Sequence, residues 1–111
     1  MVREWLKNTT KVIDLGFMKI PQNRPQMVCA DGFTMSVQAS EMHYCTPRET
    51  LLDGQYDDVE IGFPSAKEEL LMKYAEDIFE PTETVYAYVP VDVLEKVIEK
   101  HGGISVRETE E

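Results

Sequence analysis

The rhythm of apolar and polar residues changes several times along the chain, and each change marks an element. From Arg3 to about Asp14, Trp5, Leu6, Val12 and Ile13 recur near the 3.6-residue period, which predicts a helix stopped by Gly16. Gly16–Gln26 then reads as a stiff loop. Pro21 and Pro25 fix φ and withdraw backbone donors on either side of the tip Gln22–Asn23–Arg24. In MVCADGFTMSVQAS, two apolar runs flank Asp31–Gly32, the favoured chemistry of a tight hairpin turn. Phe33, Met35 and Val37 alternate with Thr34, Ser36 and Gln38, so one face of that strand should be buried and the other wet.

His43–Glu49 is a second irregular segment, interrupted by Pro47. A turn at Asp53–Gly54 precedes a strand over Tyr56–Phe63. Ser65–Glu68 has the pattern of a capping box, and Leu70, Leu71, Tyr74 and Ala75 predict a short helix after it. Thr84–Val89 is a β-branched and aromatic strand, and Val91, Leu94, Val97 and Ile98 predict a helix that Gly102–Gly103 ends. Residues from about 104 to 111 read as a frayed tail. The order helix, hairpin, strand, short helix, strand, helix points to an α+β fold. One antiparallel sheet carries three helices, and residues 1–111 form a single ligand-binding domain.

Composition narrows the function. The chain has 111 residues, 42% of them hydrophobic, enough for one core. With no apolar run of membrane-spanning length and a charged, amphipathic N-terminus unlike a signal peptide, the chain is expected to be cytoplasmic and away from membranes. Cys29 and Cys45 are expected to be free thiols. The net charge of −10 is unevenly spread: residues 1–48 net +2 and residues 49–111 net −12. Such acidity argues against a nucleic-acid duplex as partner. A small anion held locally by a few arginines is still allowed, because charges beyond about 8–10 Å are screened at physiological salt.

Arg24, between two prolines, and Arg48, after Pro47, are the cations mounted most stiffly for an anion. The run His43-Tyr44-Cys45-Thr46-Pro47-Arg48 adds rings for stacking and a hydroxyl, a combination suited to a nucleotide. Each has a plainer reading, as a solvated loop charge or the rim of a core. Cys29, His43 and Cys45 lack the close spacing and fourth ligand of a structural zinc site unless His101 supplies it, and no cofactor is expected. A Cys45–His43 nucleophile pair lacks an evident orienting group. Asp57, Asp58, Glu60, Glu68 and Glu69 read as solvated faces or, in another class of function, as a DNA-mimicking surface that blocks a host protein. Phe17 and Phe63 are core plugs or stacking plates.

The run IPQNRPQMVCADGFTMSVQASEMHYCTPR (Ile20–Arg48), with VEIGFPS (Val59–Ser65), TVYAYVPVDVLEKVIEKHGG (Thr84–Gly103) and the N-terminal segment, resembles the Thoeris anti-defence proteins of the first type. These are phage sponges. The resemblance implies a non-enzymatic protein of the infected bacterial cytoplasm that binds cyclic ADP-ribose isomers without cleaving them. It implies a pocket at a homodimer interface, and in some members hexamers that also hold cyclic oligonucleotides at separate sites. On the matched motifs, Arg24 and Arg48 would contact phosphates, and Phe17, Asn23, His43, Tyr44 and Thr46 would line the ribose and base region. Arg107 would be a further cation, outside any matched motif. The connection from Arg48 to Val59 is short for the family, which bears on loop contacts there. The rival enzymatic reading is an enzyme that degrades the messenger.

Overall fold

The computed structural model describes residues 1–105. Alternation of side chains decides the sheet. In β4 (Thr34–Gln38), Met35 and Val37 are buried, and in β5 (Asp58–Gly62), Val59 and Ile61 are buried. β3 (Met27–Val28) and β6 (Val85–Pro90) complete a four-stranded antiparallel sheet in the order β3-β4-β5-β6. The expected hairpin is there, with Met27 opposite Met35 and Val28 opposite Thr34 across the Asp31–Gly32 turn. Gln38 departs from the expected wet face. It is buried, because its side-chain amide exchanges hydrogen bonds with the backbone of Arg24.

The C-terminal helix α2 (Val91–Lys100) buries Val91, Leu94, Val97 and Ile98, as the spacing requires, and Gly102 and Gly103 take φ of 88° and 96° after it. It packs on β6 and on the N-terminal helix α1 (Val2–Asn8). Glu95 ties the two helices by accepting the Val2 N–H at 2.7 Å. The class is α+β, as expected: helices at both ends of the chain and antiparallel sheets between them. No described helix is long and apolar enough to cross a membrane.

Four expectations are corrected. Helix α1 ends at Asn8 rather than near Asp14, because the hydroxyls of Thr9 and Thr10 donate to the carbonyls of Trp5 and Leu6, both at 2.7 Å, and close its last turn. The β-branched Val12 and Ile13 instead enter β1 (Val12–Asp14), which pairs with β2 (Lys19–Pro21) in a separate two-stranded hairpin. The stiff loop is thereby shortened to residues 22–26. The middle helix is a 3-10 turn, Glu69–Tyr74, and its cap is the Glu68 carboxylate accepting the Leu70 N–H, while Ser65 accepts the Thr34 N–H instead. Ile104 and Ser105 are not frayed: Ile104 pairs with Cys29, and the Ser105 N–H donates to Val28 at 2.7 Å. The remainder of the expected tail lies outside the described residues.

The core is one cluster in which Tyr56, Tyr86, Met27, Met35, Leu94 and Ile98 are fully enclosed. Helix α1 rests directly on the backbone of Gly54, which has φ of 70°. A Cβ there would collide with the Arg3 carbonyl and lie 2.7 Å from the Lys7 nitrogen. Gly54→Ala is therefore expected to cost about 2–4 kcal/mol by urea denaturation, the sum of overpacking and a left-handed backbone. An unchanged midpoint would refute this docking of α1.

Candidate functional site

Arg24 does not stand on a solvent-facing tip. It is 7% exposed, and its guanidinium is occupied by the protein itself. Nε donates to Thr9 Oγ1 at 3.0 Å, one Nη to the Ala39 carbonyl at 2.7 Å, and the other to the Leu6 carbonyl and Thr10 Oγ1 at 3.1 and 2.9 Å. Neither a cation mounted on an open loop tip for an anion nor a solvated loop charge describes this side chain, which the protein uses structurally. The last carbonyls of α1 lack intrahelical partners, and the negative end of the helix dipole favours a cation there. Burial lowers the Arg24 pKa, opposed by the neighbouring Tyr56 hydroxyl. Asn23 beside it is exposed.

The structure gathers the second group of expected residues. After β4 the chain turns at Ser40, whose hydroxyl meets His43 Nδ1 at 2.7 Å and accepts the Met42 N–H at 3.0 Å. The Thr46–Pro47 peptide is cis. Arg48 returns over the exposed Tyr44, its guanidinium carbon 5.4 Å from the ring centroid, while its Nε donates to the Glu41 carbonyl at 3.2 Å. Its two terminal amino groups make no hydrogen bond to any described residue. Thr46 pairs with Asp58 at the start of β5, its carbonyl accepting the Asp57 N–H at 2.8 Å and its side chain exposed.

Tyr88, which the sequence reading missed, completes this cluster. Its ring centroid is 6.1 Å from that of Tyr44, and its N–H donates to the Tyr44 carbonyl at 3.2 Å. Between the pairs Val59–Val89 and Ile61–Tyr86, β6 carries one residue more than β5, a bulge at Ala87–Tyr88 opposite Glu60. Tyr88 takes φ of 53° there, in the left-handed region that costs a bulky residue about 1–3 kcal/mol. The bulge turns the ring out to solvent instead of into the core. Phe63, with φ of 49°, is a second exposed aromatic held in this way, just beyond β5. No glycine stands at either position, so the sequence carried no signal for the left-handed backbone there.

Burial pushes the Cys45 thiol up, so it stays protonated at neutral pH, and it donates to the Ser40 carbonyl at 3.2 Å. Burial lowers the His43 pKa; the Glu60 charge opposes this and the Arg24 and Arg48 charges add to it. Cys29 is buried in the core, where burial and the Asp31 charge push its thiol up to about 11. No group of three or more His, Cys, Asp or Glu among the described residues could hold a metal ion. Phe17 lies elsewhere, at the tip of the β1–β2 hairpin, and Arg107 lies outside the described residues. A cavity of about 370 Å³ lined by Met1, Arg3, Asp57, Val91, Asp92 and Glu95 contains none of the expected residues, and its three carboxylates disfavour an anion.

A separate polar cluster also escaped the sequence reading. His101 stacks on Phe33 at 4.1 Å and meets Asp31 Oδ2 through Nδ1 at 2.6 Å and the buried Glu68 Oε1 through Nε2 at 2.7 Å. Lys100 also meets Glu68, at 3.0 Å. The cluster clips the hairpin turn, the 3-10 turn and the end of α2 together.

Two predictions follow from these geometries. Burial lowers the His101 pKa, but the two carboxylates outweigh it and raise the folded value above the ordinary one. Its contribution is therefore complete below about pH 6.5 and fades as pH rises through the raised value. Asp31 and Glu68 have lowered values, Asp31 chiefly through the Phe33 N–H and Glu68 because the Leu70 N–H, His101 and Lys100 overcome its burial. They lose their contribution at the acid end. Urea unfolding measured across pH should show stability falling as pH rises above about 6.5, and His101→Gln should flatten that limb; an unaltered limb would dismiss the clip. Arg24→Ala, which orphans the end of α1, should cost about 3 kcal/mol or more. A loss below 1 kcal/mol in the same assay would return Arg24 to a solvent-facing role.

No protein-family model, no curated protein and no solved structure matches the chain.

Proposed function

We propose that this protein is a stoichiometric binder of an anionic nucleotide messenger, held at the Arg48–Tyr44–Tyr88 cluster and sequestered without cleavage. The observation that carries the reading is the Arg48 guanidinium seated over the exposed Tyr44 ring beside a tyrosine that the backbone holds in a strained conformation. Two aromatic faces accept a base, and the unengaged amino groups of Arg48 suit a phosphate. The cyclic ADP-ribose isomers implied by the resemblance to the Thoeris anti-defence sponges are ligands of this chemistry, and the function is then evasion of host immune signalling in the bacterial cytoplasm. Cyclic oligonucleotides share the same groups.

The roles of the expected residues are revised. Arg48 grips, Tyr44 and Tyr88 stack, and His43 and Thr46 border the cluster. Arg24 holds the segment from below through Ala39. Magnitudes then favour an oligomer. Nanomolar affinity needs about 12 kcal/mol, whereas a charge-assisted hydrogen bond contributes about 1.5–3 kcal/mol. One arginine on an open surface falls short for a ligand with two phosphates. A two-fold homodimer would supply Arg48 twice and enclose the ligand.

Arg48→Ala and Tyr88→Ala should each weaken binding of a cyclic ADP-ribose isomer at least tenfold in isothermal titration, with the melting temperature of Arg48→Ala unchanged. Heat denaturation of the complex should release the messenger intact. Fragments in the supernatant would replace this reading with an enzymatic one, and affinity indifferent to both substitutions would remove the site.

A further inference from the structure

A carboxylate adjoins the cluster assigned to an anion. Glu60 lies on the face of β5 opposite the buried Val59 and Ile61, between Gln38 of β4 and the Ala87–Tyr88 bulge of β6. Its Oε2 accepts the Tyr44 N–H at 3.4 Å, and the Tyr44 carbonyl accepts the Tyr88 N–H. Glu60 is thus joined to both tyrosines through one backbone residue. Its Oε1 makes no hydrogen bond to any described residue, and no described cation forms an ion pair with it. Gln38 does not serve it, because that amide is engaged by the Arg24 backbone and Ser36. Asp58, on the same face, is not equivalent: its Oδ1 is sealed from solvent.

For a ligand that is nothing but an anion, Glu60 would only repel. A nucleotide is more than its phosphates, since its sugars and bases carry neutral donors. An ionised carboxylate is purely an acceptor, and its two oxygens take two neighbouring donors at once. Two parts of a nucleotide present such a pair. One is a ribose with both secondary hydroxyls free, and the other is the ring N–H and amino edge of guanine. Adenine presents an amino group beside an unprotonated ring nitrogen, which a carboxylate disfavours.

We propose that Glu60 is the specificity-determining residue of this site, accepting a pair of neighbouring donors on the sugar or base while Arg48 holds the phosphate. The inference rests on the nucleotide-binding function proposed above and narrows its ligand class. Nucleotides with a free ribose diol or a guanine are retained, and those with neither are turned away. Repulsion from Glu60 and attraction to Arg48 also orient the ligand, phosphate to the arginine and donor pair to the carboxylate.

Isothermal titration with three probes tests this. Cyclic ADP-ribose has free diols, cyclic di-guanylate has guanines but no diol, and cyclic di-adenylate has neither. The wild-type chain should bind one or both of the first two about tenfold or more tighter than cyclic di-adenylate, which corresponds to one charge-assisted hydrogen bond. Glu60→Gln keeps an acceptor for the Tyr44 N–H and removes the charge. It should weaken the preferred probe by about the same factor, leave cyclic di-adenylate bound as tightly or more so, and leave the melting temperature unchanged. Misfolding cannot produce these opposite signs. Loss confined to cyclic ADP-ribose assigns the diol, and loss confined to cyclic di-guanylate assigns the base. Equal wild-type affinity for all three probes, or a change on substitution that is the same for all three, would overturn the role of Glu60. Failure of the wild-type chain to bind any of them would instead remove the nucleotide-binding function itself, and this inference with it.

Discussion

The guanidinium of Arg24 closes helix α1 and fixes the Ala39 carbonyl at once, so the two halves of the first 48 residues cannot be placed independently. A helix of seven residues has little stability of its own. It persists because Trp5 and Leu6 are buried, because Gly54 lets its backbone come close, and because a cation satisfies its last carbonyls. The same group meets the chain one residue before Ser40, where the His43–Arg48 segment begins. The geometry of the candidate site therefore descends from a contact that is not itself part of the Arg48–Tyr44–Tyr88 cluster.

This division of labour explains how two arginines with similar sequence surroundings differ so completely. Both lie next to a proline. Arg24 points inward among oxygen acceptors, and Arg48 points outward across an aromatic face. Its partners make the inward one costly to lose. The outward one keeps its terminal donors unengaged among the described residues.

What could be read from the residues is uneven for physical reasons. Helix α2 was legible from end to end, since its apolar spacing, its length and its two terminal glycines agree. The Asp31–Gly32 hairpin was legible from its turn chemistry. Helix α1 was overextended because Val12 and Ile13 match a helical period by position while their β-branching suits a strand, and the deciding contacts come from Thr9, Thr10 and the distant Arg24. Gln38 was misassigned because alternation cannot anticipate a side-chain amide satisfied by backbone fourteen residues away. In the candidate site, His43, Tyr44, Thr46 and Arg48 are contiguous, so their grouping was visible. Tyr88 joins them only through a bulge in a strand about forty residues later, and His101 and its two carboxylates come from three separate parts of the chain.

The left-handed tyrosine of β6 has an evolutionary consequence. A glycine at position 88 would adopt that backbone freely and relieve the strain, yet it would erase the ring. Selection for robustness alone pulls this position toward the smaller residue, while selection for whatever the ring touches pulls it back. Populations drifting without that second pressure should exchange Tyr88 early, which makes its persistence a more sensitive record of use than the persistence of any core side chain.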